Sequence, residues 1–405
     1  MIRLYHLLAA LLAVVLLLAA CGGQQTAENA SEPTKAPAAA PTEAPADEPT
    51  EAAAPTETPA ADESTKVAET ASPASDGAVA EATFAPAEEA SDEVATSDGE
   101  CEEGFRLFEH ALGADCIPNE VDRVVAVAQQ AIEVLIALEY EPVARVDLLD
   151  QFVVDAFPQF GNAIPQDLPD IGLPLNPEIL LEAKPDVIIG WTQFPLPEVI
   201  TDIAPVVYVD YSEDWQSNAL LIGDAIGERE AVEEFLAGYE QRVEVLRDNL
   251  RNPAEIEVSL VRVLPEKFNV QVSNSLSGQI RRDVGLAIPQ AQLDVADELT
   301  AENQGRVFSV SRERVDLIDG DVLLLYNAIP DPEARAENQA YIDSLADDPL
   351  FQTLDAFQNG EVYQAGPYWN GGGSILSTHA ALDDLFRHVA GIDPEEVSPN
   401  PFPRR

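Results

Sequence analysis

Positive charge is scarce in this chain. Over 405 residues, 22 lysines and arginines stand against 73 aspartates and glutamates, a formal net charge of −51. So few cations cannot neutralise a run of phosphates, which excludes a nucleic-acid partner, and they give no purchase on anionic lipid heads. Histidine is scarcer still. His6, His110, His379 and His388 show no catalytic pairing by spacing, and they are too few for a cleft that holds a free transition-metal ion on two or three imidazoles. Gly-x-Ser-x-Gly elbows, phosphate-cradling Gly-Lys loops and His-Glu-x-x-His motifs are missing, which removes the common signatures of hydrolases, nucleotide enzymes and metalloproteases. A carboxylate pair is always available among 73 acids, so a secreted hydrolase remains as the enzyme-class alternative. An adhesion module would not need the alternating strand and helix pattern described below.

Cysteines number three, at Cys21, Cys101 and Cys116. The first ends an apolar run, Leu7–Ala20, that follows Arg3. Fourteen apolar residues fit a signal-peptide core better than a membrane span. The ending Leu18-Ala-Ala-Cys resembles a bacterial lipobox, which implies acylation at Cys21, cleavage before it and a lipid anchor. Residues 22–100 are dominated by Ala, Pro, Glu, Thr and Ser, with 18 acids, two lysines and one aromatic, Phe84. Such a stretch cannot bury enough apolar surface to offset chain entropy. It is expected to be a disordered acidic tether with a coil span of roughly 50 Å. Cys101 and Cys116 open the globular part, and outside the cytoplasm an even pair this close is expected to oxidise.

The remaining residues predict an α/β fold of two Rossmann-like lobes. Strands are expected at Arg123–Val127, Pro142–Asp147, Asp186–Trp191 and Pro205–Asp210, with a helix opening at Asn176-Pro-Glu-Ile. Apolar residues at Val232, Phe235, Leu236, Tyr239, Val243, Leu246 and Leu250 form one helical stripe. They predict a connecting helix over 228–252 between an N-terminal lobe, 101–227, and a C-terminal lobe, 253–392. The second lobe predicts strands at Glu257–Val263, Asn269–Val272, Val307–Val310, Asp321–Asn327 and Val362–Ala365, and helices at Asn338–Leu354 and Ser374–Val389. Residues 393–405 read as a flexible tail.

Several short pieces, in order, resemble the iron-siderophore and cobalamin substrate-binding proteins of bacterial ABC importers. They are Phe108-Glu-His-Ala-Leu-Gly with Ile117-Pro and Arg123-Val-Val; Ala137-Leu and Pro142-Val; Ile171-Gly, Asn176-Pro-Glu-Ile and Lys184-Pro-Asp-Val-Ile; Ile203-Ala-Pro-Val-Val; Ser309-Val-Ser-Arg-Glu; and Gly360-Glu-Val-Tyr, Trp369 and Gly371-Gly-Gly. The resemblance implies two lobes joined by one helix, with the ligand in the cleft between them. It implies a lipid-anchored extracytoplasmic monomer, on the periplasmic or outer face, that is not an enzyme. Such a protein would carry no cofactor and no directly bound metal. It would capture an Fe(III)-siderophore complex, or cobalamin or haem, and deliver it to an ABC permease dimer.

Candidate ligand contacts are Trp191, Trp215 and Trp369, which fall at or after predicted strand ends, where open α/β sheets place their crevices. Tyr326 closes a buried strand, and Tyr211 and Phe194 are weaker candidates. Arg262 lies inside an apolar strand, where an unpaired guanidinium is costly, so it either pairs with a buried carboxylate or faces the ligand. Arg145 ends the second strand. Arg281 and Arg282 read as solvated. Glu178 and Glu313 each sit in the first turn of a helix, at matching places in the lobes; the resemblance implies that they form salt bridges with permease arginines. The net charge of the lobes predicts a neutral or cationic hydroxamate complex, or a corrinoid, over a tri-anionic catecholate.

Overall fold

The computed structural model describes residues 101–160, 163–165, 167–299 and 306–402. The signal segment, Cys21 and the tether lie outside the described residues. The strands are β1 (Phe105–His110), β2 (Gly113–Pro118), β3 (Val124–Ala126), β4 (Val187–Trp191), β5 (Val206–Val209), β6 (Val258–Val263), β7 (Lys267–Gln271), β8 (Val307–Ser311), β9 (Val322–Tyr326) and β10 (Val362–Ala365). The helices are α1 (Gln129–Ala137), α2 (Asp147–Ala156), α3 (Pro177–Ala183), α4 (Glu198–Thr201), α5 (Trp215–Ile226), α6 (Arg229–Asn249), α7 (Leu276–Val284), α8 (Gln290–Leu299), α9 (Pro332–Ser344), α10 (Asp355–Asn359), α11 (Ile375–His388) and α12 (Pro394–Val397).

The chain enters through an antiparallel hairpin, β1–β2, that the sequence pattern did not mark as strands. Cys101 and Cys116 are bonded, with Cα atoms 5.7 Å apart, and tie the entering chain to β2. Arg106 donates to the carbonyls of Asp224 and Ala225, at 2.6 and 3.3 Å. It thereby serves the orphan acceptors at the carboxyl end of α5.

The N-terminal sheet is parallel, in order β3-β4-β5. The expected strand at 142–147 is reduced to two isolated bridges, Val125 with Ala144 and Arg145 with Asp170. Its backbone bonds are divided: Val143 donates to Val124, whereas Arg145 donates to Pro169 in the long loop. No continuous ladder can form with either side. The C-terminal sheet runs β10-β9-β6-β7-β8, parallel over β10, β9 and β6 and antiparallel over β7 and β8. That edge makes the sheet mixed.

Between the sheets runs α6, with Val232, Leu236, Tyr239, Val243 and Leu246 buried, as its apolar stripe requires. One continuous apolar core spans the N-terminal sheet, α5, α6, α11 and one face of the C-terminal sheet; a second, around Phe268, Phe308 and Phe351, fills the other face. The helix expected at 338–354 begins earlier, at Pro332, where Asp331 caps it by accepting from Ala334 N at 2.8 Å. It stops at Ser344 because two 3-10 turns flank Pro349. Residues 394–402 are not a loose tail. Arg242 donates to the Ser398 carbonyl at 3.1 Å, Asn400 donates to Asp383 at 3.0 Å, and the Phe402 ring packs 5.2 Å from Phe235. Proline-rich composition suggested disorder, but the segment covers a buried ion pair between Arg242 and Asp383.

Candidate functional site

Parallel strands present their carboxyl ends together, and an α/β crevice opens there. In the N-terminal lobe, β4 ends in Trp191. Its ring lies 5.0 Å from Tyr211, edge-on, and 5.0 Å from Phe194, tilted. Phe194 is 63% exposed. The indole Nε1 of Trp191 is buried and has no hydrogen-bond partner among the described residues. The Tyr211 hydroxyl accepts from Gln129 N at 3.0 Å. Burial pushes the Tyr211 phenol up, Glu133 adds to the rise, and Arg306 opposes it. Arg306, just before β8 of the other lobe, therefore lies within electrostatic reach of this aromatic wall.

In the C-terminal lobe the register brings four side chains into one row. Tyr326 pairs with Arg262, Arg262 with Asn269, and Asn269 with Ser309, across β9-β6-β7-β8. Since strand side chains alternate, all four share a face. It is the face whose buried members, Val258, Leu260 and Leu324, belong to the core shared with the N-terminal lobe. The row grades from buried Tyr326 to exposed Ser309. Ser309 donates to Asn269 Oδ1 at 2.8 Å, and Gln271 donates to the Tyr326 hydroxyl at 3.0 Å. Arg262 donates through Nη2 to the Ala328 carbonyl at 2.9 Å, while its Nε is buried without a partner among the described residues. No described carboxylate lies within ion-pair distance of Arg262. Burial raises the Tyr326 phenol, and Arg262 opposes the rise. This is a cation placed by a strand end, partly satisfied, with donor capacity left over.

Beside Tyr211 lies the Gly371-Gly-Gly loop. A Cβ at Gly372 would stand 2.6 Å from Gln129 Oε1 and 3.4 Å from the Tyr211 ring, and one at Gly373 would collide with Ser377. Close approach, not turn geometry, requires glycine there. Beneath the loop Glu133 accepts from Ser374 N (2.8 Å), Ser377 N (2.9 Å) and Ser377 Oγ (2.6 Å). The side chain of Ser374, the N-cap residue of α11, makes no cap bond. The helix is capped instead by a carboxylate from α1, 241 residues earlier in the chain. Burial raises the Glu133 carboxyl, and its hydrogen bonds hold it partly down.

Other expected contacts fall elsewhere. Trp215, Trp369 and Tyr326 are each 1% exposed and belong to the core rather than a cleft wall. Trp215 opens α5 and packs edge-on against Tyr239 at 4.9 Å. Trp369 donates its Nε1 to Asp384 at 2.9 Å, beside the Tyr368 hydroxyl at 2.6 Å. Both follow strand ends, as the sequence indicated, but the next helix turns them inward. Arg145 is committed to Asp147 and, at 3.2 Å, to the Leu168 carbonyl. Arg281 is not solvated. It is 1% exposed and donates to the carbonyls of Ser277, Val258 and Gln271, and burial lowers it to about 9. Arg282 is 61% exposed on its side chain. Arg306 and Glu133 went unmarked in the sequence; the cation scarcity could have flagged the first, and nothing local flags the second.

Glu178 and Glu313 are exposed. Asn176 caps α3 by accepting from Glu178 N at 2.9 Å, and the Glu313 carboxyl is lowered by a hydrogen bond with Ser311. Each sits in the helical turn leading into the strand, β4 or β9, that pairs in parallel with the first strand of its own sheet, β3 or β6. The described histidines do not converge: His379 is buried on Arg242 and lowered to about 3 by burial, and His388 stacks on Tyr363. Among the described residues no group of three metal-ligating side chains is assembled.

Comparisons with known proteins agree with this architecture. A probable siderophore-binding lipoprotein of Bacillus subtilis is 26% identical over 287 residues, covering 69% of this chain and 86% of that protein. An achromobactin-binding periplasmic protein of Dickeya dadantii is 24% identical over 282 residues, 67% of this chain and 87% of its own. Among solved structures, Staphylococcus aureus SirA complexed with staphyloferrin B superposes with a TM-score of 0.60 at 21% identity, over 70% of this chain and 98% of that one. The Bacillus subtilis triscatecholate siderophore binding protein FeuA with ferri-bacillibactin gives 0.58 at 19% identity, over 71% and 98%. The sequence profile described as Periplasmic binding protein matches residues 124–368, and the chain belongs to that family.

Proposed function

We propose that this protein captures a ferric siderophore in the crevice between its lobes and hands it to an ABC importer permease. The observation that carries this reading is an aromatic cluster, Trp191, Tyr211 and Phe194, at strand ends of one lobe, together with two guanidinium groups of the other, Arg262 without a carboxylate partner among the described residues and Arg306 within electrostatic reach of Tyr211. Aromatic walls suit the apolar body of a chelate, and guanidinium forks suit its metal-bound anionic oxygens. The names of the relatives support the same ligand class. The two arginines also revise the charge argument from sequence. A net negative field acts at range and is screened over about 8–10 Å at physiological salt. A guanidinium in contact acts on the ligand directly. The proposed ligand is therefore a chelate presenting anionic oxygens. Anchoring through Cys21 and docking of a permease through Glu178 and Glu313 belong to the same proposal. Titration of tryptophan fluorescence with ferric catecholate, ferric hydroxamate, ferric citrate, cobalamin and haem, at low and high salt, tests it. Saturable quenching by an iron chelate is expected. Quenching by cobalamin or haem alone would replace the siderophore reading.

A further inference from the structure

Beyond Arg262, a third arginine meets the same rim. The loop after β9 is gripped carbonyl by carbonyl: Arg262 holds Ala328, and Arg335 of α9 holds Ile329 and Pro330, each at 2.6 Å. Asn327 closes the loop by donating to the Arg335 carbonyl at 2.8 Å. The guanidinium of Arg335 also forms an ion pair with Asp155, which comes from α2 of the opposite lobe. Asp155 accepts from Gln151 as well, which fixes the carboxylate on its own helix. The pair is partly screened, with side-chain exposures of 30% and 22%. Next to it lies a recess of ≈ 370 Å³ bounded by Asp155, Asn327, Arg335, Gln339, Gln364 and Pro367, within the ~300–1,000 Å³ of small-molecule sites.

Resting on the siderophore-receptor reading, we infer that Asp155 is a resident stand-in for an anionic group of the ligand, and that Arg335 is the specificity-determining cation it occupies. The two carbonyl bonds keep the guanidinium fork in place when the carboxylate leaves, so the site is pre-organised. A ligand carboxylate that replaces Asp155 exchanges one ion pair for another. A neutral ligand gains nothing by displacing Asp155 and binds with the pair closed. The pair therefore takes no part in holding neutral chelates and opens for those carrying an anionic group at this point.

The experiment uses the whole chain with two probes, ferric citrate and a neutral ferric trihydroxamate, and reads dissociation constants by tryptophan quenching. Asp155→Asn removes the competitor and is expected to tighten ferric citrate about 3–10-fold, in line with a partly exposed ion pair, while changing the trihydroxamate less than about two-fold. Arg335→Gln is expected to weaken ferric citrate selectively. Asp155→Ser serves as a second variant should the first fail to fold. If Asp155→Asn leaves ferric citrate binding as in the parent, or moves both probes alike, the inference fails while the receptor reading stands. If neither probe binds the parent chain, the inference fails, and the receptor reading is decided by the wider panel of chelates.

Discussion

At the scale of single residues, Arg262 and Trp191 carry the strongest expectations. Replacing Arg262 by Gln keeps the size and one donor toward Ala328 but removes the charge. Affinity for a ferric chelate should fall by about ten-fold or more, the usual consequence of removing a charge-assisted hydrogen bond from a cleft. The melting temperature should move by only a few degrees, because Arg262 is partly exposed and bonded to one carbonyl. A drop in stability with binding unchanged would make Arg262 a structural residue. Trp191→Phe should keep binding near the parent level and abolish most ligand-induced quenching, since Trp215 and Trp369 are buried away from solvent. Quenching that survives this change would mean that a core tryptophan reports the ligand. Arg262 was legible in the sequence because a cation inside an apolar strand stands out. Trp215 and Trp369 were misleading for a physical reason. Sequence places a residue after a strand end, but the direction of the following turn decides whether it faces the crevice or the core.

At the scale of elements, the capping of α11 by Glu133 links α1 to the helix that follows the glycine loop. Glu133→Ala would leave two backbone N–H groups and the Ser377 hydroxyl unserved in a buried place, at a cost of about 2–4 kcal/mol. The pH dependence has a definite sign. The folded state raises the Glu133 carboxyl above its ordinary value of 4.5. The folded protein therefore holds a proton that the unfolded chain releases, and this site's contribution to stability falls as pH rises above that value. Thermal melts between about pH 4 and 7 should show that decline in the parent chain and a flatter profile in Glu133→Gln. Equal slopes in the two would remove Glu133 as the source. Helix α6 could be read in advance because its apolar stripe recurs along its whole length. The hairpin β1–β2 could not, because its outward residues include Phe105 and Leu107, 42% and 51% exposed, which blurs the alternation that marks a strand. Pro142 and a split set of backbone partners likewise turned an apparent strand into bridges.

At the scale of the whole molecule, the matched positions of Glu178 and Glu313 frame the proposed docking face. The double variant Glu178→Arg with Glu313→Arg should abolish uptake of labelled iron chelate in cells while leaving affinity in solution unchanged. Normal uptake would sink the docking role. The C-terminal segment tests how far folding depends on the chain's last residues. Truncation after Ile392 should lower the melting temperature by more than about 5 °C, because it uncovers the Arg242–Asp383 pair, whose side chains are 4% and 3% exposed, and a buried charge pair opened on one side is costly. A melting temperature within a degree of the parent's would show that the segment is dispensable. The two-lobe α/β plan, the long helix between the sheets, the close cysteine pair and the poverty of cations could all be read from the chain before any fold was known, because periodicity, composition and spacing are local properties. Folding was needed to turn Trp215 and Trp369 into the core, to bury Arg281 on carbonyls, to cap α11 with Glu133 of the distant α1 and to bring Asp155 to Arg335. Each of these joins residues far apart in the chain, and burial is a property of the partners a residue meets, not of the residue.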